Sequence, residues 1–263
     1  EKGEKIDAIV FDKTGTLTRG QPEVTDVIEF GEREKKEIVA LAASLEKLSE
    51  HPLAEAMVKY VEKKSVALIA VNSFKAIPGQ GVEGMINNIK YYFGNRKLIN
   101  ERMGGEMGKI ENEIRKLEED GKTVMILASE KEVLGLIAVA DTLKDNTKEA
   151  VQRLQKRGLE VYMITGDNQR TAAAIAKQVG IKNVLAEVLP EDKAREIKKL
   201  QNTGVKVAMV GDGINDAPAL AMADLGMAMG SGTDVAMETG GIVIIKNDLR
   251  DVLTAIQLSR ETM

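Results

Sequence analysis

Short apolar runs of strand length alternate with charged, helix-periodic stretches along this chain. Ala8-Ile9-Val10-Phe11 and Val207-Ala208-Met209-Val210 are apolar throughout, and Glu160-Val161-Tyr162 leads into a third such run. Runs of this kind suit strands buried on both faces, the habit of a parallel sheet. Lys144 to Lys156, Arg170 to Val179 and Glu191 to Gln201 read as the helices that cover it. Strand and helix alternate from Leu136 onward, which predicts a parallel sheet flanked by helices.

More than a hundred residues of different texture precede Asp141. Glu32 to Leu48 has helical periodicity with dense charge, and Pro52 to Lys64 reads as a second helix with proline in its first turn. Strand-like pieces follow at Val66 to Val71, Val82 to Ile86 and Ile89 to Phe93, the last two joined by Asn87-Asn88, a hairpin dipeptide. Glu106 to Glu119 is a further charged helix with a solvated face. Val124 to Ala128 and Val133 to Ile137 close the set. The pattern predicts a compact α+β insertion, entered near Gln21-Pro22 and left near Ile137.

Composition narrows the function classes. Hydrophobic residues make up 43% and charged residues 30% of 263, a globular balance. The net charge of −4 mixes both signs, so no nucleic-acid footprint appears. Cysteine is absent, which excludes disulfides and thiolate metal sites. No run approaches the ~20 apolar residues of a membrane span, and no signal-peptide pattern is read in these residues. Twelve methionines stand in the chain. Met227 and Met229 alternate in a strand-like run, where filling the core is their simplest work.

The candidate chemistry lies where strands end. In an open parallel sheet, ligands gather outside the carboxyl ends of the strands. Asp12 follows the first apolar run and opens Asp12-Lys13-Thr14-Gly15-Thr16-Leu17-Thr18. A carboxylate there can attack a phosphoryl group. Thr165 ends the next run in Thr165-Gly166-Asp167-Asn168 and offers a hydroxyl for a phosphate oxygen. Asp212 and Asp216, in Gly211-Asp212-Gly213-Ile214-Asn215-Asp216-Ala217-Pro218, bring two more carboxylates. Such a cluster repels itself unless a cation joins it, and Mg²⁺ suits oxygen donors and a triphosphate. Lys193 supplies a point charge for the transferring group.

Gly79-Gln80-Gly81-Val82-Glu83-Gly84 has the form G-x-G-x-x-G. The dinucleotide motif needs a strand before it and a helix after it. Here Pro78 precedes and a hairpin follows, so that reading is rejected. What is left is a glycine-rich turn, or a backbone that lets a flat ligand approach. The only histidine, His51, sits in Ser49-Glu50-His51-Pro52. On its own it reads as structural.

Asp-Lys-Thr-Gly-Thr-Leu-Thr, Thr-Gly-Asp and Gly-Asp-Gly-Ile-Asn-Asp-Ala-Pro, in this order, resemble the P-type ATPases of the haloacid dehalogenase superfamily. Ser-Glu-His-Pro followed by Gly-x-Gly resembles the nucleotide domain of their heavy-metal-transporting members. The resemblance covers essentially the whole chain. It implies that Asp12 is phosphorylated by ATP. Asp12, the Thr14 carbonyl and Asp212 would hold Mg²⁺, and Lys13, Thr165, Gly166, Lys193, Asn215 and Asp216 would complete the site. It also implies a nucleotide pocket with Glu46 and His51 at adenine and with Gly79, Gly81, Val82, Gly94 and Asn95 lining it. Phosphatases of the superfamily carry a second aspartate two residues after the nucleophile. Thr14 stands there instead and cannot activate water in the same way, so an aspartyl phosphate should persist.

The expected architecture is a Rossmann-like α/β phosphorylation domain, residues 1–21 and 137–263. An α+β nucleotide-binding domain is inserted at 22–136, with a hinge at the two crossings. The expected function is the ATP-handling part of a pump for a soft or borderline cation, copper first. By the resemblance it is a cytoplasmic part of an integral membrane protein, its partners being the membrane helices and dephosphorylation domain of the same pump. The Thr-Gly-Glu motif of phosphate release is absent from this sequence, so weak ATPase turnover is expected of the chain alone. A soluble phosphatase and a non-catalytic nucleotide-binding regulatory module are the alternatives.

Overall fold

The computed structural model describes residues 6–49, 52–104, 108, 110–213, 215–230 and 241–262. The chain forms two compact units: Glu1–Gly20 with Thr142–Met263, and Gln21–Asp141.

The first unit is built on a six-stranded parallel sheet. Its strands are β1 (Ala8–Asp12), β8 (Glu160–Ile164), β9 (Asn183–Leu185), β10 (Val207–Gly211), β11 (Leu225–Met229) and β12 (Ile242–Ile244), ordered β12-β11-β10-β1-β8-β9. Side chains alternate across the pleat. Ile9 and Phe11 pack with Val161, Met163, Met227 and Met229 under α5 (Thr147–Lys156), α6 (Gln169–Val179) and a helix at Asp251–Thr262. Val10 and Met209 face the opposite layer, with Ile197 of α7 (Lys193–Gln201) and Leu220 of α8 (Ala217–Met222). A sheet covered on both sides needs apolar residues at every position, which is why these strands read as unbroken runs. Met227 and Met229 are core residues, as expected.

The second unit carries a six-stranded antiparallel sheet, ordered β2-β7-β6-β5-β4-β3. Its elements are β2 (Glu23–Glu29), α1 (Lys35–Glu46), α2 (Pro52–Lys63), β3 (Asn72–Ile77), β4 (Gly81–Ile86), β5 (Ile89–Gly94), α3 (Arg96–Met103), α4 (Glu111–Glu119), β6 (Thr123–Ser129) and β7 (Val133–Ala140). Along β6, Met125 and Leu127 face α1 and α2, while Val124, Ile126 and Ala128 face α3 and α4. Asn87 and Asn88 have φ of 50° and 63°, the two left-handed residues of a hairpin turn of the first primed type.

Four expectations need correction. Val66 to Val71 is not a strand. Val66, Leu68, Ile69 and Val71 cover the α1–α2 core from an irregular segment, and Ser44 Oγ accepts the Ile69 amide at 2.8 Å. The strand begins only at Asn72. The described helix of the Glu106 to Glu119 stretch starts at Glu111. Leu136 belongs to the antiparallel sheet, because β7 continues to Ala140; the second unit accordingly ends at Asp141, beyond the crossing placed at Ile137. In the second unit two elements went unforeseen, β2 and α3; in the first, β9, β12 and α8 did. β2 mixes exposed and half-buried residues at a sheet edge, and α3 is a short helix capped by Asn95 and ended by Gly104 at φ 69°. No helix among the described residues is long and apolar enough to cross a membrane.

Candidate active site

Sheet register assembles the site of the first unit. β1 lies between β8 and β10, with Asp12 opposite Ile164 and Phe11 opposite Val210. Asp12, Thr165 and Asp212 therefore all emerge at the carboxyl end of three adjacent strands. Beyond Asp12 the chain turns at once. Thr14 (φ −76°, ψ 125°) and Gly15 (φ 75°, ψ −15°) have the dihedrals of the two central residues of a type II turn. The second of these positions needs φ above zero, which explains glycine at 15. Thr18 Oγ1 accepts the Gly15 amide at 3.2 Å and donates to Lys13 O at 3.1 Å.

Lys193 is the electrostatic centre. Its Nζ donates to Asp12 Oδ1 and to Asp216 Oδ1, each at 2.7 Å, and all three side chains are buried. Asp216 Oδ2 also accepts the Asp212 amide at 3.2 Å. That approach needs glycine at 211, where a Cβ would lie 2.4 Å from Asp216 Oδ2. Asp212 is oriented by Asn215, whose backbone and side-chain nitrogens donate to its two oxygens at 3.3 and 3.4 Å. A Cβ at Gly15 would lie 3.5 Å from Asp212 Cβ, so Asp212 stands against the turn that follows Asp12.

The charges do not balance within the protein. Burial first, and then the Asp216 charge, push Asp12 up to about 7, with Asp212 adding and Lys193 opposing. Burial and Asp216 likewise raise Asp212. Burial pulls Lys193 down, but the charges of Asp12 and Asp216 outweigh it and hold its pKa above the ordinary lysine value. Three carboxylates thus face one ammonium. Asp12, Asp212 and the Thr14 carbonyl offer hard oxygen donors where a cation would relieve this excess, and they fit Mg²⁺. No group of three His, Cys, Asp or Glu side chains able to hold a metal occurs among the described residues.

Lys13 and Thr165 meet through a residue the motif reading left out of the site. Asp167 Oδ2 accepts from Lys13 Nζ at 2.6 Å and from Thr165 Oγ1 at 3.0 Å. The signal was present, since Asp167 is the third residue of Thr-Gly-Asp. Gly166 turns the chain between them, and a Cβ there would meet only Val188 O at 3.6 Å.

In the second unit the glycine-rich turn is a closed piece of backbone. Gly81 pairs with Gly94 and Val82 with Phe93. Asn95 donates through its backbone N–H to Gln80 O and through Nδ2 to Gly79 O, both at 2.8 Å. Gly79, Gly81, Val82, Gly94 and Asn95 thus come together. The room for a side chain at Gly81 or Gly94 is filled by the opposing strand: a Cβ would lie 2.3 Å from Phe93 O at the first and 2.3 Å from Gln80 O at the second. Strand packing alone therefore requires these glycines, and a ligand need not be invoked for them. Glu46 is not part of this hydrogen-bonded set. It ends α1, where neighbouring Leu45 packs over Gly84 of β4. Glu46 Oε2 is buried without a hydrogen-bond partner, and burial pushes its carboxyl up to about 7 against a bond from Ser49. His51 lies outside the described residues.

A family model for haloacid dehalogenase-like hydrolases matches residues 6–224. A probable copper-importing P-type ATPase A of Enterococcus hirae is 50% identical over 265 residues, covering 100% of this chain and 36% of that protein. A copper-exporting P-type ATPase of Bacillus subtilis is 50% identical over 263 residues, covering 100% of this chain and 33% of that protein. The chain spans about a third of the length of these curated relatives. Among solved structures, the catalytic domain of the CPx-ATPase CopB-B, described for its changes upon nucleotide binding, matches with a TM-score of 0.71 and 32% identity, over 98% of this chain and 90% of that one. A zinc-transporting PIB-type ATPase in its E2.Pi state gives 0.66 and 38% identity, over 98% of this chain and 42% of that one. By sequence and by fold, the chain belongs to the haloacid dehalogenase-like hydrolases and, within them, to the catalytic domains of the P-type ATPases.

Proposed function

We propose that this chain binds ATP and accepts its terminal phosphate on Asp12, as the catalytic part of a P-type ATPase that moves copper across a membrane. The observation that carries the reading is the Asp12–Lys193–Asp216 constellation, buried at the strand ends with Asp212 beside it. Asp12 is the nucleophile. Lys193 holds its carboxylate in place and offers positive charge to the phosphoryl oxygens. Thr165 and the Gly166 amide orient that group, while Lys13, tied to Asp167, braces the loop. Asn215 and Asp216 fix Asp212 and Lys193. Mg²⁺, when held by Asp12, Asp212 and the Thr14 carbonyl, neutralises the triphosphate and lowers the barrier to in-line transfer.

The buried, unpartnered Glu46 Oε2 supports a base-recognition role in the second unit, since an exocyclic amine would satisfy it. His51 is proposed beside it, with Gly79, Gly81, Val82, Gly94 and Asn95 as the pocket's backbone wall. Copper is favoured because relatives named for copper are 50% identical, against 38% for the zinc-transporting structure. The membrane helices and the dephosphorylation machinery would belong to the remaining length of such a pump, with this part on its cytoplasmic side.

The test is covalent labelling. With γ-labelled ATP and Mg²⁺, the chain should take up one phosphate that is stable in acid and released by hydroxylamine. Asp12→Asn should abolish the label and keep ATP affinity within about twofold. No label on the wild type, with ATP still bound, would leave the regulatory-module reading. Rapid turnover of small phosphomonoesters would favour the phosphatase.

A further inference from the structure

The acceptor loop is gripped from outside by one short segment. Arg19 N donates to Thr142 O at 2.8 Å, Lys144 N to Leu17 O at 3.0 Å, and Thr147 Oγ1 to the same Leu17 carbonyl at 2.8 Å. These bonds hold the far end of the loop. Lys144 of this segment reaches its apex: its Nζ donates to Gly15 O at 2.8 Å and to Asn247 Oδ1 at 2.7 Å. Asn247 is itself fixed, with φ at 52° and its amide donating to Ile244 O at 3.2 Å. The ammonium is therefore held at both ends.

Gly15 joins two peptide planes. The first carries the Thr14 carbonyl and the Gly15 N–H, which Thr18 Oγ1 accepts. The second carries the Gly15 carbonyl, which Lys144 holds. Glycine resists rotation between such planes less than any other residue, so both must be anchored if the Thr14 carbonyl is to keep one direction. We infer that Lys144 is a positioning residue for the phosphoryl-acceptor loop: by clamping Gly15 O it aims the Thr14 carbonyl and tunes the Mg²⁺ affinity of the Asp12–Thr14–Asp212 set. This deepens the proposed function and rests on its metal set. Lys144 does not touch the transferred group.

The experiment titrates the 263-residue chain with Mg²⁺ alone by calorimetry, and separately follows labelling by γ-labelled ATP. Lys144→Met should weaken Mg²⁺ binding about tenfold and slow labelling ~10–100-fold, leaving ATP affinity within about twofold. Lys144→Arg, which still donates to the carbonyl, should restore most of both. Asn247→Ala frees the ammonium without deleting it and should weaken Mg²⁺ about threefold. Thr147→Val removes a donor from the other end of the loop; it should lower the melting temperature and leave Mg²⁺ affinity within about twofold. Lys144→Met with wild-type Mg²⁺ affinity overturns the inference. If that variant does not fold, wild-type affinity in Asn247→Ala overturns it. So does a Thr147→Val variant that weakens Mg²⁺ as much as Lys144→Met. A wild-type chain that binds Mg²⁺ and accepts no phosphate overturns the aspartyl-phosphate reading instead, and the Mg²⁺ titrations still judge Lys144.

Discussion

Asp12 Oδ1 accepts a hydrogen bond from Lys193 Nζ at 2.7 Å, and both side chains are buried. A buried pair of this kind is a poor source of net stability, yet removing one partner strands the other charge. Lys193→Met should destabilise the chain by about 3–5 kcal/mol, read by chemical denaturation. It should also slow Asp12 labelling by about 10²–10³-fold, because no ammonium meets the transferring group. A labelling rate near wild type would remove Lys193 from the mechanism.

Thr14 stands two residues after Asp12, the proposed nucleophile, at the position where phosphatases of the resembled superfamily carry their acid/base aspartate. Its dihedrals, φ −76° and ψ 125°, are open to any residue, so aspartate can replace it without backbone strain. Thr14→Asp should shorten the lifetime of the aspartyl phosphate by about 10²-fold in a chase with unlabelled ATP. An unchanged lifetime would mean that water access, rather than the missing base, protects the intermediate.

Glu46 should make the second unit sensitive to pH. Its folded pKa is raised from 4.5 to about 7 by burial. For a carboxyl raised on folding, the stabilising balance is complete below the unfolded value and is lost as pH climbs through the folded one. This group should therefore lower stability between about pH 4.5 and 7, by on the order of 3 kcal/mol in all. Glu46→Gln should flatten that dependence and be the more stable protein at pH 8, followed by circular dichroism during thermal unfolding. Parallel pH curves for the two proteins would refute the assignment.

Two glycines separate strain from packing. Gly81 has φ 140°, and a Cβ there would lie 2.3 Å from Phe93 O and 2.5 Å from Gly94 Cα. Gly31 has φ 79° with nothing within 4 Å of a Cβ. Gly31→Ala should cost about 1–2 kcal/mol, the backbone strain alone. Gly81→Ala should cost more than about 3 kcal/mol, since the β4–β5 pair must part. It should also weaken nucleotide binding. Equal losses in calorimetric scans would show that β4 and β5 can separate freely.

Much of this was readable in the chain because the relevant signals are local. Asp12, Thr165 and Asp212 each follow an apolar run, and a run covered on both faces announces a parallel strand. Asn87-Asn88 announces a hairpin because few residue pairs tolerate left-handed backbone twice in succession. Val66 to Val71 misled for the same reason. Its β-branched residues do pack on a core, but no neighbouring strand pairs with them, and pairing is not a local property. Asp167, Gly211 and Lys144 escaped notice because their work is done for residues far along the chain. Asp167 serves Lys13, and Lys144 serves Gly15.

What the amino-acid order determined by itself was the set of candidate groups: Asp12, its companion carboxylates and a lysine, each placed at the end of a strand or the start of a helix. What only the tertiary structure decided was which charges share a dielectric. Strand order sets β1 between β8 and β10, and helix packing brings α7 across to Asp12, so that Lys193 answers two aspartates 181 and 23 positions away. Coulomb energy depends on distance through space and on burial, and neither quantity is a function of separation along the chain.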